Sequence, residues 1–316
     1  MVVETTGGLT TAQVTADEAL HTDWASRRDE LDMVRVTGPE PACWPELRRA
    51  GFTVHPSWIT WLAPAGPSEE AFLDRLSGKE RRSVRAGLRF VTDHGIRMKV
   101  ATPVSAAGYD EFLALYERQI ATMRHGVPYA RFDRDEILER AGEYFAVHAV
   151  ADDKLIGGCV CRIREDSTVV IRFVATEPDG RQHRIVRAMY MQAFRTAREL
   201  GCRDISLGTD PALYGHVAKP GLFAFKSALR FTPIPSRLFG GAMDDPDEAT
   251  LVLRLAALSE PSLLVRYHLP EDDRSGLVTG DTPLGLDVLT TGPELDPAPY
   301  GAPFLADTVV RVIERG

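Results

Sequence analysis

The stretch FAVHAVADDKLIGGCVCRIREDSTVVIRFVATEP, residues 145–178, decides the fold. Its apolar residues recur with an extended rather than a helical period. Two polar breaks, Ala151 to Lys154 and Arg164 to Ser167, divide it into three runs. The reading is three consecutive antiparallel strands joined by short turns. RIVRAMYMQAFRTARELG (184–201) then switches to helical spacing and stops at Gly201. DISLGTD (204–210) predicts a short strand, PGLFAFKSAL (220–229) a helix and TPIPSRLFG (232–240) an extended segment. The fold class is α/β (α+β), with a mixed, mainly antiparallel sheet flanked by helices.

Upstream, the first 15 residues are Thr/Gly-rich and read as mobile. TADEALHTDWASRRDEL (15–31) predicts a helix capped by Thr15, and WPELRRAGF (44–52) a short one. TVHPSWITWL (53–62) reads as a strand, with Pro56 arguing for a sheet edge. Ser68 caps SEEAFLDRL, which leads into SGKERRSVRAGLRFVTDHG (77–95), a helix ended by Gly95. A strand at IRMKVATPV and helices at GYDEFLALYERQIATM and RDEILERAGEYF complete the approach to residue 145.

A chain of 316 residues, 44% hydrophobic and 26% charged, has globular composition and room for two domains or one elaborated domain. Its apolar runs are too short to span a bilayer, and MVVETTGGLTTAQVTADEAL lacks the basic start and apolar core of a signal peptide. A cytoplasmic protein without membrane insertion is expected. Cys43, Cys159, Cys161 and Cys202 have neither zinc nor CxxC spacing, so no disulfide framework or structural metal is expected. The net charge of −8 disfavours a general nucleic-acid coat and leaves room for a local basic groove. GxSxG, HExxH, P-loop and GxGxxG motifs are all absent, which removes the hydrolase, metalloprotease, NTPase and dinucleotide classes.

Three antiparallel strands, a helix, a strand, a helix and a strand is the order of the GNAT acyltransferase core. The chain resembles the Fem-type, GNAT-like N-acyltransferases, which include tRNA-dependent peptidyltransferases. The likeness is carried by LSGKERRSVRAGLR, by IGGCVCRI, VVIRFVATEP and RIVRAMYMQAFRTARELGCRDISLG, and by LYGHVAKPGLFAFKSALRFTPIP. It covers roughly residues 55 to 240. The expected division is an N-terminal helical extension (1–54), a GNAT-like acyltransferase region (55–240) and a C-terminal appended element (241–316).

The resemblance implies amide-bond formation between an activated aminoacyl donor, with aminoacyl-tRNA favoured, and a small-molecule amine. It also implies that Phe225 and Lys226 lie at the transfer site. No bound cofactor is expected. One departure bears on the donor. CoA-dependent GNAT enzymes carry a glycine-containing turn that admits a pyrophosphate, whereas RQHRIVRA (181–188) offers His183, Arg184 and Val186. The alternatives are an acyl-CoA donor, which keeps the reaction, and a non-catalytic GNAT-like domain that binds a ligand or partner.

Lys226 lies four residues after Leu222 and three before Leu229, beside the apolar stripe of its helix. It is either a fixed cation for a tetrahedral oxyanion or a snorkelling surface lysine. Tyr214 and His216, in the LYGH loop, are candidate proton relays, or a packing ring and a surface residue. Asp210 either orients the amine or loop, or caps the turn at Pro211.

Lys79, Arg82, Arg85 and Arg89 share a helix, and between residues 79 and 89 five basic residues meet one acid, Glu80. That composition suits a phosphate-bearing donor or acceptor, or a solvated helix face. Arg181 and Arg184 could meet phosphate through their side chains. Arg172, a charge in an apolar strand, requires a partner. His125 belongs to a candidate acceptor loop, TMRHGVPYARFD (122–133).

Overall fold

The computed structural model describes residues 1–123, 126–177, 182–240 and 245–313, without the side chains of residues 182 and 183. The first strands and helices are β1 (Val2–Thr6), β2 (Leu9–Gln13), α1 (Ala16–His21), β3 (Met33–Thr37), α2 (Trp44–Arg49), β4 (Thr53–His55) and β5 (Trp58–Pro64). There follow α3 (Glu69–Arg75), α4 (Gly78–Asp93), β6 (Arg97–Ala101), α5 (Ala106–Ile120), α6 (Tyr129–Phe132) and α7 (Arg134–Glu139). The stretch that decides the fold forms β7 (Tyr144–Ala151), β8 (Lys154–Ile163) and β9 (Thr168–Thr176). Then come α8 (Gln182–Glu199), β10 (Asp204–Pro211), β11 (Leu213–Tyr214), α9 (Pro220–Ala228), β12 (Thr232–Pro235) and α10 (Ser236–Phe239). The chain closes with β13 (Glu248–Val252), β14 (Ser262–Tyr267), β15 (Leu284–Thr290) and β16 (Leu305–Val312).

Two compact units result. One comprises Met1–Thr60, Thr209–Ser227 and Thr232–Gly316; the other comprises Trp61–Gly208 and Ala228–Phe231.

In the second unit, β7, β8 and β9 pair antiparallel as their patterning predicts. The β7–β8 turn places Asp152 and Asp153 at φ 48° and 58°, the left-handed pair that a tight hairpin needs and that Asp tolerates. β10 returns parallel to β9 after α8, and the sheet runs β5-β10-β9-β8-β7-β6. Gly157 and Gly158 explain how helices cover both faces of β8. Successive residues of a strand face opposite sides. A Cβ on Gly157 would meet Ile185 and Met189 of α8 at 3.1 and 3.2 Å, and one on Gly158 would meet Phe112 of α5 at 2.8 Å. Tyr109, Phe112, Leu113 and Tyr116 of α5 join Tyr144, Val160 and Phe173 in one buried cluster. Each such side chain contributes about 1.5–3 kcal/mol by leaving water.

The helix caps follow the sequence. Thr15 forms a capping box with Glu18, and the Ser68 and Ser77 hydroxyls accept from the N–H groups of Ala71 and Glu80.

The first unit departs from the division expected at residues 54 and 240. Residues 1–54 are not a helical extension. They hold β1 to β4 and two short helices, and the segment expected to be mobile is the β1–β2 hairpin. The tail after 240 supplies β13, which pairs with β3 on one side and β4 on the other in the order β1-β2-β3-β13-β4. The other tail strands join β11 in the order β11-β14-β15-β16. This is pairing between residues some 200 positions apart, which no local periodicity encodes.

Pro56 divides the expected strand into β4 and β5, which belong to different sheets, and β4 lies at the edge of its sheet, the position the proline argued for. The helices expected over 15–31 and 134–145 are also shorter, stopping at His21 and Glu139.

No helix among the described residues is long and apolar enough to cross a membrane. No group of three or more metal-ligating side chains occurs among them either.

Candidate active site

β10 ends in Asp210 and Pro211, and the chain pairs Leu213 and Tyr214 with Leu264 and Leu263 of β14. Gly215 then turns the chain at φ 137°, where a Cβ would overlap the Ser262 hydroxyl, so only glycine fits. Its N–H donates to the Ala218 carbonyl at 2.6 Å and its carbonyl accepts from Ser259 N–H at 2.7 Å. Pro220 opens α9, a position where its missing N–H costs nothing.

This turn returns α9 to the end of β10 and brings three of the expected residues together. Lys226 Nζ donates to Asp210 Oδ2 at 2.7 Å, and Tyr214 OH donates to the same oxygen at 2.7 Å. Lys226 is 5% exposed and Asp210 6%. Lys226 therefore does not snorkel. Burial pushes its ammonium below the ordinary lysine range, opposed by the Asp210 carboxylate that pairs with it. The arrangement is a buried lysine held against a carboxylate, with a tyrosine hydroxyl on the same carboxylate oxygen.

Phe225 is half-buried. Phe223 packs on the cluster, edge-on to Tyr214 at 5.6 Å and edge-on to Phe304 at 6.1 Å. Phe223 lies three residues before Lys226, a spacing that signals a shared helix face. Phe304 left no sequence signal, because its partner lies some 80 residues away. His216 Nε2 donates to the Gly7 carbonyl at 3.2 Å, tying the loop to the β1–β2 turn.

In the second unit, Lys79, Arg82, Arg85 and Arg89 are exposed along α4. The acid between residues 79 and 89, Glu80, is buried and takes Arg187 of α8 at 2.6 Å, which leaves the four cations exposed ahead of Asp93 at the end of the helix. Arg184 lies over the Phe90 ring at 5.7 Å. Arg172 has the partner its strand position required: Asp133 Oδ2 at 2.6 Å, with Tyr144 OH at 3.4 Å. His125 and Arg181 lie outside the described residues.

The β7–β9 antiparallel set, α8 and the parallel β10 define a GNAT-type acyltransferase fold. Residues 110–216 match the model of the acetyltransferase (GNAT) family. The protein thus carries a GNAT acetyltransferase domain and is an N-acyltransferase. Asp210, Tyr214 and His216 fall inside the match; Phe225 and Lys226 lie beyond it.

No curated protein matches the chain. Among solved structures it is similar to FemX, at 13% identity and TM-score 0.45 over 78% of this chain and 81% of that one. It is also similar to the C-terminal domain of a putative lysylphosphatidylglycerol synthetase from Agrobacterium fabrum, at 14% identity and TM-score 0.42, covering 78% and 79%. An aminoglycoside acetyltransferase from an uncultured soil metagenome has 12% identity and TM-score 0.29, covering 35% and 74%.

Proposed function

We propose that the protein is a Fem-type aminoacyltransferase that forms an amide bond between an aminoacyl group carried on tRNA and an amine. The observation that carries this reading is the α4 stripe, Lys79, Arg82, Arg85 and Arg89, whose acidic neighbour is turned inward onto Arg187. A run of exposed cations between residues 79 and 89, in a chain of net charge −8, suits a polyphosphate backbone. The segment 181–188 supports it, since it lacks the glycines that a CoA pyrophosphate cradle uses.

In the proposed reaction the amine nitrogen attacks the ester carbonyl of the charged tRNA. The carbon–nitrogen bond forms, the carbon–oxygen ester bond breaks, and the amine proton leaves with the ribose hydroxyl. The charge to be stabilised is the tetrahedral oxyanion, and Lys226 is the cation assigned to it. Asp210 keeps Lys226 charged against burial and Tyr214 fixes Asp210. Asp210 Oδ2 already accepts from the Lys226 ammonium and the Tyr214 phenol, so Asp210 is assigned as a positioning residue.

An acyl-CoA donor is the second reading, favoured by the acetyltransferase family model that residues 110–216 match. Incubating the protein and a panel of amines with charged tRNA or with acyl-CoA separates the two. Amide product that disappears after ribonuclease treatment supports the tRNA donor. Full activity with acyl-CoA alone overturns it.

A further inference from the structure

A cavity of about 500 Å³ opens in the first unit among α2, β4, the end of β14 and β16. Its volume is that of a small-molecule site. Its composition is unusual for an acidic protein: Arg48, Arg266 and Arg311 line it together with Phe52, Val54 and Leu269. Two of these arginines are anchored from behind. Asp287 is fully buried; Arg266 Nε donates to its Oδ1 at 2.7 Å and Arg311 Nε lies 2.7 Å from its Oδ2. Thr53 donates to Oδ2 at 3.2 Å, and Arg266 also reaches Asp307 Oδ2 at 2.7 Å.

These contacts leave two charges incompletely answered. Arg311 is held only near its Nε, and its terminal amino groups make no hydrogen bond to any described residue although the side chain is 39% exposed. Arg48 has no carboxylate within 4 Å among the described residues. Its Nη1 donates to the Pro270 carbonyl at 2.7 Å, its Nη2 is buried without an acceptor, and the group lies over the Trp44 ring at 5.9 Å. Burial pushes the Arg48 guanidinium below the ordinary arginine range, against the longer-range pull of Asp273 and Glu271. A desolvated cation of this kind is relieved by an anion brought into the adjacent space.

We propose that this cavity binds a small organic oxyanion, a carboxylate or phosphate monoester on an apolar body. The open end of the Arg311 fork donates to the oxyanion in the planar geometry that such groups accept. Arg48 supplies uncompensated positive charge, and Phe52, Val54 and Leu269 face the apolar body. Glu271 and Asp272, both exposed, also line the cavity and set it against a polyanion, which separates this site from the α4 stripe. The proposal is independent of the acyl-transfer reading.

Phenyl phosphate, benzoate, inorganic phosphate and phenol are titrated into the full-length protein by calorimetry at constant ionic strength. Phenyl phosphate or benzoate is expected to bind more tightly than inorganic phosphate and phenol, and the tighter of the two identifies the head group. Arg311→Gln is expected to weaken that binding at least about tenfold, as for a lost charge-assisted hydrogen bond. Because Arg311 also faces buried Asp287, a second measurement uses the unaltered protein. Phenylglyoxal modification of Arg311, read by peptide mass spectrometry, is expected to slow in the presence of the bound probe while Arg82 and Arg85 react unchanged. Failure of both organic anions to bind, inorganic phosphate binding as tightly as they do, or no selective protection of Arg311 would overturn the proposal.

Discussion

Lys226 Nζ lies 2.7 Å from Asp210 Oδ2, with both side chains less than a tenth exposed. A pair removed from water this far is bound to its partner more than to the fold: deleting one member leaves the other charge buried alone. Lys226→Met is therefore expected to cost about 3–5 kcal/mol of unfolding free energy. Combining it with Asp210→Asn should return most of that loss, because no uncompensated charge remains. Urea denaturation of the two single variants and the double variant measures the coupling. A double variant no more stable than Lys226→Met would contradict the pairing. The same set separates stability from catalysis: if Lys226 stabilises the oxyanion, the double variant folds and still loses transfer.

Tyr214 donates to the oxygen that Lys226 already occupies. Tyr214→Phe retains the ring that Phe223 packs on and removes only the hydroxyl. The expected cost is about 1.5–3 kcal/mol, the range for a hydrogen bond to a charged group. A change below about 0.5 kcal/mol, within the scatter of neutral surface substitutions, would mean that the carboxylate does not depend on the phenol.

Replacing Arg82, Arg85 and Arg89 together by Gln tests the α4 stripe without touching the core, since all three are exposed. Stability should move by about 0.5 kcal/mol or less per site. Binding of tRNA, followed by filter retention across a salt series, should weaken, and its salt dependence should flatten by up to about three phosphate contacts. An unchanged slope would return the stripe to a solvated helix face.

What the sequence made legible follows the range of the interactions. β7 to β9, α8 and β10 were readable because turns of two to four residues and helical spacing are local signals. The caps at Thr15 and Ser68 were readable for the same reason. β13 was not, since its place between β3 and β4 depends on partners near residues 34 and 54. The site divides likewise. Lys226 stood out as a charge beside an apolar stripe, but only the Gly215 turn shows that its partner is Asp210, sixteen residues back. Arg172 was recognised as needing a counter-charge, whereas Asp133 as its source required the fold.

His55 supplies a pH test of the joint between β4 and β13. The ring is buried, with Nδ1 2.7 Å from the Pro56 carbonyl and Nε2 2.9 Å from the Thr250 hydroxyl. A neutral ring satisfies both: Nδ1–H donates to the carbonyl and Nε2 accepts from the threonine. Burial holds its pKa below the ordinary 6.5, although Glu248 at 4.0 Å pulls the other way. Because the folded-state value is depressed, the unfolded chain binds the proton first. The stabilising contribution is complete above the unfolded value of about 6.5 and is lost as pH falls below it. Unfolding free energy should decline between about pH 7 and pH 5.5 with a slope that approaches 1.4 kcal/mol per pH unit at the lower end, about one proton's worth. His148 is depressed in the same direction by burial, so the informative quantity is the difference between the unaltered protein and His55→Gln. The variant is expected to be less stable at pH 7.5 but to lose less on acidification. Parallel pH profiles for the two proteins would show that His55 does not titrate with unfolding.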